Sequence, residues 1–120
     1  MVIAAVALLA SCTVKKEVDQ YTIDQFYKNV NTWFSGFSPD ETKILVSSNE
    51  TGIYNVFEIS LGDGSKRQVT SSTDDSYFAV GYVHGTGQIL YSADKGGNEI
   101  NHIYLLGEDG STVDLTPGDE

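Results

Sequence analysis

A stretch that occurs twice constrains this chain more than any other feature. Phe37 to Ser48 reads F-S-P-D-E-T-K-I-L-V-S-S, and Tyr82 to Ala93 reads Y-V-H-G-T-G-Q-I-L-Y-S-A. Aligning Ile44 with Ile89 and Ser47 with Ser92 sets the copies about 45 residues apart. The correspondence continues, with Val56-Phe57 matching Ile103-Tyr104 at about 47 residues and Val69-Thr70 matching Leu115-Thr116 at about 46. The slippage falls in Gly96 to Asn101, which reads as a loop. In the first copy Pro39 presets φ for the second turn position and Ser38 bonds the backbone ahead of it, so Ser38-Pro39-Asp40-Glu41 is a turn. Lys43-Ile44-Leu45-Val46-Ser47 then reads as a strand. Its apolar positions do not strictly alternate, as expected where both faces are covered.

A repeat of roughly 40 to 50 residues with several strands per unit has the period of a propeller blade. One four-stranded blade cannot bury both its faces, so blades stack around an axis and typically about four to eight close the ring. The expected fold is therefore all-β: about two four-stranded antiparallel blades of an incomplete β-propeller, preceded by a signal segment and a short helix. The divisions expected are a signal segment at 1-11, a tether at 12-20, a short helix and lead-in at 21-34, a first blade at 35-80 and a second at 81-120. Tyr77 to Val83 is expected to be the innermost strand of the second unit. The 40% apolar content and 12 Gly agree, because Val, Ile, Tyr and Phe fall in short runs between Gly, Asp, Asn and Ser clusters.

Charge excludes some partners. With 7 Lys and Arg against 17 Asp and Glu the formal charge is −10, which makes nucleic acid and anionic lipid headgroups poor partners of the folded part. Asp40, Asp63, Asp74, Asp75, Asp94 and Asp109 sit in turn sequences, where Asp serves local hydrogen bonding, and solubility accounts for the balance.

The N-terminal run Met1 to Ala10 is apolar but far shorter than the roughly 20 residues of a spanning helix, so it reads as a secretory segment. Leu9-Ala10-Ser11-Cys12 resembles a bacterial lipobox, which implies cleavage before Cys12 and lipid on its thiol. One departure is that no Lys or Arg precedes the apolar run. The alternative is a cleaved secretory signal with an incidental Cys. Cys12 is the only cysteine, so no internal disulfide forms. Thr13 to Gln20 reads as a polar tether. Thr22-Ile23-Asp24-Gln25 fits a capping box, with Tyr21 and Phe26 placed for a hydrophobic staple and a helix end near Lys28 or Asn29. Trp33, Phe34 and Phe37 offer a large apolar area, which reads as core packing ahead of an aromatic ligand platform.

No catalytic, cofactor or metal site is expected from the residues. There is no G-x-S-x-G elbow, and His84 and His102 make no recognisable nucleophile-base arrangement with the serines. His84 lies in a turn and is expected to be solvated, while His102 is expected to be hydrogen-bonded within its own strand unit. Two His without a Cys partner give no zinc spacing, and Asp94 to Glu99 lacks a calcium-loop pattern.

The strings Y-T-I-D-Q-F-Y, F-S-P-D-x-x-K-I-L-V-S, D-K-G-G-N-E-I-N-H-I-Y-L and D-L-T-P, spread over Tyr21 to Gly118, resemble the N-terminal β-propeller of prolyl oligopeptidase family serine peptidases in bacterial lipoprotein forms. The F-S-P-D turn-strand is shared with TolB-like and other propellers; the initial helix and the string Asp94-x-x-Gly97-x-Glu99-x-x-His102-x-Tyr104 are more specific. Glu41 departs from the pattern, standing where these repeats usually place Gly at a turn position that calls for φ > 0. The resemblance implies a secreted, envelope-anchored peptidase whose propeller gates peptide substrates, with Ser, Asp and His in a partner α/β-hydrolase domain absent from this sequence. The alternative is a non-catalytic TolB-like propeller that binds an envelope protein.

Overall fold

The computed structural model describes residues 18–118; the apolar N-terminal run and Cys12 lie outside them. A short helix, α1 (Ile23–Tyr27), opens the described chain. Thr22 caps it as expected: its Oγ1 accepts from Gln25 N at 3.3 Å, and Gln25 Oε1 accepts from Thr22 N at 2.8 Å. Tyr21 meets Phe26 edge to face at 6.0 Å, which closes the staple, and Lys28 is the C-cap. The helix buries none of its residues, so its stability is local.

Eight strands follow: β1 (Thr32–Phe37), β2 (Lys43–Ser48), β3 (Asn55–Ser60), β4 (Lys66–Gln68), β5 (Tyr77–Tyr82), β6 (Ile89–Ala93), β7 (His102–Leu106) and β8 (Thr112–Asp114). They form two four-stranded antiparallel sheets, β1-β2-β3-β4 and β5-β6-β7-β8, each a meander in chain order. The fold is all-β apart from α1, as the repeat requires. The change of sheet falls between Gln68 and Tyr77, whereas a division at 80/81 would cut β5; likewise Thr32, Trp33 and Phe34 belong to β1 rather than to a lead-in.

The two sheets repeat each other bond by bond. In the first, Phe34 pairs with Val46 and Phe37 with Ile44, with a register shift between Phe34 and Gly36. In the second, Ala79 pairs with Tyr91 and Tyr82 with Ile89, with the same shift between Ala79 and Gly81. Ser38 N donates to Lys43 O at 2.9 Å, matched by Val83 N to Gln88 O at 2.9 Å. Ser60 N to Ser65 O recurs as Gly107 N to Ser111 O, both at 2.8 Å. Val56 N donates to Thr70 Oγ1 and Ile103 N to Thr116 Oγ1, each at 2.9 Å. Glu41 adopts φ 56°, the left-handed conformation for which Gly is usual, whereas in the second copy the left-handed turn residue is Gly85, one position earlier in register. Asp40 makes this turn tenable, because Oδ1 accepts from Ser38 Oγ, Thr42 N and Thr42 Oγ1 at 2.7, 3.2 and 2.8 Å. These three donors hold the Asp40 carboxyl down to a pKa of about 2.

The core lies between the sheets. Leu45 and Val56 of the first meet Ile89 and Tyr91 of the second, with Val69, Tyr77, Ala79, Tyr82, Tyr104 and Leu106 packed around them. Leu45 and Val46 are both buried although they point to opposite faces, as the unbroken apolar run predicts. Trp33, Phe34 and Phe37 correct the core expectation: each remains more than half exposed, at 54%, 59% and 55%. Trp33 stacks on Tyr54 and Phe78 at 4.8 and 5.8 Å, while Phe34 and Phe37 meet only edge to face on the outer side of the first sheet.

Candidate functional site

The most developed polar constellation sits where the two sheets meet. Glu58, on β3, is an acid inside an apolar strand and is only 5% exposed. Antiparallel pairing sets it opposite Arg67 of β4, whose Nε and Nη2 donate to Glu58 Oε2 at 2.8 and 2.5 Å. Tyr82 of β5 crosses from the other sheet and donates its hydroxyl to Oε1 at 2.7 Å. Lys43 Nζ stands 3.7 Å away. Burial alone would push the Glu58 carboxyl up, but the Tyr82 and Arg67 hydrogen bonds and the charges of Arg67 and Lys43 outweigh it and hold the group below the usual carboxylate range. Burial, and then the bond to Glu58 and its charge, push the Tyr82 phenol well above its ordinary value. Near neutral pH the pair is thus an ionised acceptor and a neutral donor with both Glu58 oxygens engaged. That arrangement clamps two sheets together; it has no proton to give.

A cleft of about 660 Å³ opens beside this clamp. The Ser38-Pro39-Asp40 turn and the Gly85-Thr86-Gly87 turn line it with Glu108, and Lys43 and Arg67 stand among the acids Asp40, Glu58 and Glu108. Glu108 Oε1 accepts from Gly87 N at 2.9 Å, which ties the two turns of the second sheet together. Arg67 and Lys43 keep 65% and 46% of their side chains exposed, so both face the cleft as well as Glu58.

A second polar knot fixes the crossover between the sheets. Asn55, fully buried, donates from Nδ2 to Thr51 Oγ1 and Ser72 O at 3.2 and 3.0 Å and accepts at Oδ1 from Thr70 Oγ1 and Ser72 N at 3.0 and 2.8 Å. All four of its bonding positions are used. The knot holds the chain as it leaves β4 for β5.

His102 occupies the place of Asn55 in the second sheet, and its Nδ1 lies 2.6 Å from Asp114 Oδ2. The pair stays within its own sheet, as expected. The His102 hydrogen bond lowers the Asp114 pKa, against a small opposing effect of burial. An oriented imidazole is part of a hydrolytic triad, yet Ser92 pairs with Ile103, one residue beyond His102, and so faces the opposite side of the sheet. His84 is exposed in its turn. Among the described residues, no group of three or more His, Cys, Asp or Glu is arranged to hold a metal ion, and no helix is long and apolar enough to cross a membrane.

The sequence reading singled out Cys12, which lies outside the described residues, and missed Glu58, Arg67 and Tyr82 as a unit. An available signal was the repeat itself. Glu58 aligns with Leu105 and Arg67 with Val113, so one unit carries charge where the other is apolar. No protein-family model, curated protein or solved structure matches the chain.

Proposed function

We propose that this chain is a non-catalytic wall of a β-propeller that restricts which peptides reach a prolyl-oligopeptidase-like serine peptidase centre, held at the bacterial cell envelope by lipid on Cys12. The observation that carries the scaffold role is the stacking of two four-stranded sheets with the same register, bulge and turn bonds. The peptidase role rests on the resemblance of Tyr21 to Gly118 to those propellers. In this reading the catalytic Ser, Asp and His belong to an α/β-hydrolase domain, and the peptide is the substrate. The clamp supports it, because Glu58 and Tyr82 are set to hold blades rather than to move protons. A fluorophosphonate probe is expected to leave this chain unlabelled and to label a product that also carries the hydrolase domain, isolated through its lipid. Labelling of the chain itself would overturn the non-catalytic assignment.

The cleft between the sheets, where Lys43 and Arg67 stand beside Asp40, Glu58 and Glu108, favours one other reading, a non-catalytic TolB-like propeller that binds an envelope protein partner. Failure of the lipid-anchored, naturally produced protein to react with the probe decides for it.

A further inference from the structure

Helix α1 is amphipathic, yet it buries none of its residues. Ile23, Phe26 and Tyr27 stand at i, i+3 and i+4 and so share one face, while Asp24 and Gln25 take the other. The three apolar residues are open to solvent, at 75%, 63% and 86% exposure. Tyr21, held against Phe26 by the staple, and Val18 and Val30 beyond the helix ends are exposed as well. An apolar stripe at helical spacing is the pattern of a helix with a covered face, and here neither sheet covers it.

Reach and charge together say what lies against it. Only Thr13 to Gln20 separate Tyr21 from Cys12, and a stretch of that length spans roughly 30 Å at most when fully extended. Lipid on Cys12 therefore keeps α1 within that distance of a bilayer, and the tether makes its docking an intramolecular step. Residues 13–30 carry three cations, Lys15, Lys16 and Lys28, against three acids, Glu17, Asp19 and Asp24, whereas residues 31–120 hold four cations and fourteen acids and so carry the whole −10. An anionic membrane surface repels the sheets and leaves the neutral segment bearing α1 as the part that can lie on it. Tyr21 and Tyr27 suit that place, because tyrosine is enriched at the headgroup level of membranes.

We infer that α1 lies along the headgroup layer beside the lipid of Cys12, with Ile23, Phe26 and Tyr27 turned into the bilayer and the acidic sheets directed away from it. The inference rests on the lipid anchor of the proposed function, since a helix of 5 residues buries too little apolar area to hold a membrane unaided. It is independent of the peptidase reading. Docking of α1 also orients the first sheet, because Asn31, three residues past the helix cap, is tied by its N–H to Asn49 Oδ1 at 2.7 Å.

The test uses the full chain with Trp33→Phe, which removes the only tryptophan, and Phe26→Trp, which puts an indole on the apolar face. Cys12 is coupled to a maleimide phosphatidylethanolamine in phosphatidylcholine vesicles with brominated acyl chains, so that anchoring does not depend on the cell. Bromine should quench the indole at position 26 by at least about half, and an indole placed instead by Lys28→Trp several-fold less. Adding Ile23→Asp and Tyr27→Asp to the Phe26→Trp chain should bring its quenching down to that lower level; because α1 buries no residue, these changes leave the sheets folded. Equal quenching at positions 26 and 28, or quenching that survives the two aspartates, overturns the inference. The same reporter in the naturally produced lipoprotein, reconstituted in the same vesicles, should be quenched as strongly. A blue-shifted but unquenched indole there means that another part of the protein covers α1, and overturns the inference as well. A natural product without fatty-acid label at Cys12 overturns the anchor of the proposed function, whereas the maleimide-anchored chain still decides whether α1 enters the bilayer.

Discussion

The two sheets share a backbone and differ in what surrounds it. In the first, β2 and β3 are buried on both faces, with Leu45, Val46, Val56 and Phe57 at 3% exposure or less. In the second, β6 alternates, with Ile89, Tyr91 and Ala93 buried and Leu90 and Ser92 half-buried. The ladder register is nevertheless the same, down to the bulge between Phe34 and Gly36 and between Ala79 and Gly81, although the turn after β3 is one residue longer than the turn after β7. Backbone form is thus set by turn residues and apolar spacing, while the charge of a face is set by what it meets. Glu58 is tolerated in one sheet because Tyr82 and Arg67 answer it, and Leu105 holds that place in the other.

Deleting the same side chain from each sheet should separate the two most strongly. Leu45 is fully buried in the core cluster, so Leu45→Ala should cost about 3 kcal/mol through lost burial and a residual cavity. Leu90, its equivalent in the second sheet, is half-buried on the outer side, and Leu90→Ala should cost about 1 kcal/mol in the single chain. Urea midpoints at fixed low protein concentration measure both. Equal losses would mean that the outer face of the second sheet is already a packed core.

The clamp comes next. Removing the carboxylate with Glu58→Ala leaves the Tyr82 hydroxyl and Arg67 without their acceptor and should cost about 2 kcal/mol, less than a fully enclosed pair because Arg67 reaches solvent. Replacing the set together, Glu58→Leu with Arg67→Val and Tyr82→Phe, copies the second sheet and should recover most of that loss. A triple variant as unstable as the single one would show that the fit depends on the charged atoms themselves. The pH dependence has a definite sign. Glu58 has a folded pKa below its unfolded one, so its contribution is complete above the unfolded value of about 4.3 and is lost as pH falls through the lower folded value. Asp40 acts likewise between about 4 and its folded value of about 2. Wild-type stability should therefore fall from about pH 4 downward, and less steeply in the Glu58→Leu triple variant. An unchanged slope in that variant would remove Glu58 from the acid response.

How far the sequence disclosed this follows from the same contrast. The repeat offsets, the non-alternating strand at Lys43 to Ser47, the capping box at Thr22 and Gln25, and the in-sheet bonding of His102 are local properties and were legible. The change of sheet at 69–76 was legible where Tyr77 to Val83 read as a strand of the second unit and lost in the division at 80/81, which cuts that strand; the buried side chain of Asn55 fixes the crossover through Ser72 and Thr70. The exposure of Trp33, Phe34 and Phe37 was hidden, since aromatic content says nothing of whether a neighbouring face exists. Glu58 looked like any strand acid because its partner Tyr82 is 24 residues away.

The smallest effect isolates solvent alone, because the two sheets share one side-chain bond that differs only in its surroundings. Val56 N donates to Thr70 Oγ1 and Ile103 N to Thr116 Oγ1, both at 2.9 Å. Thr70 is 8% exposed and Thr116 lies in the open. Thr70→Val keeps the shape but removes the acceptor for Val56 N and the donor to Asn55 Oδ1, and should cost about 1.5 kcal/mol. Thr116→Val removes the matching acceptor where water replaces it, so the loss should stay below about 0.5 kcal/mol. Paired urea titrations at low concentration measure the difference. Equal losses at the two positions would mean that Thr116 Oγ1 is as well shielded from water as Thr70 Oγ1.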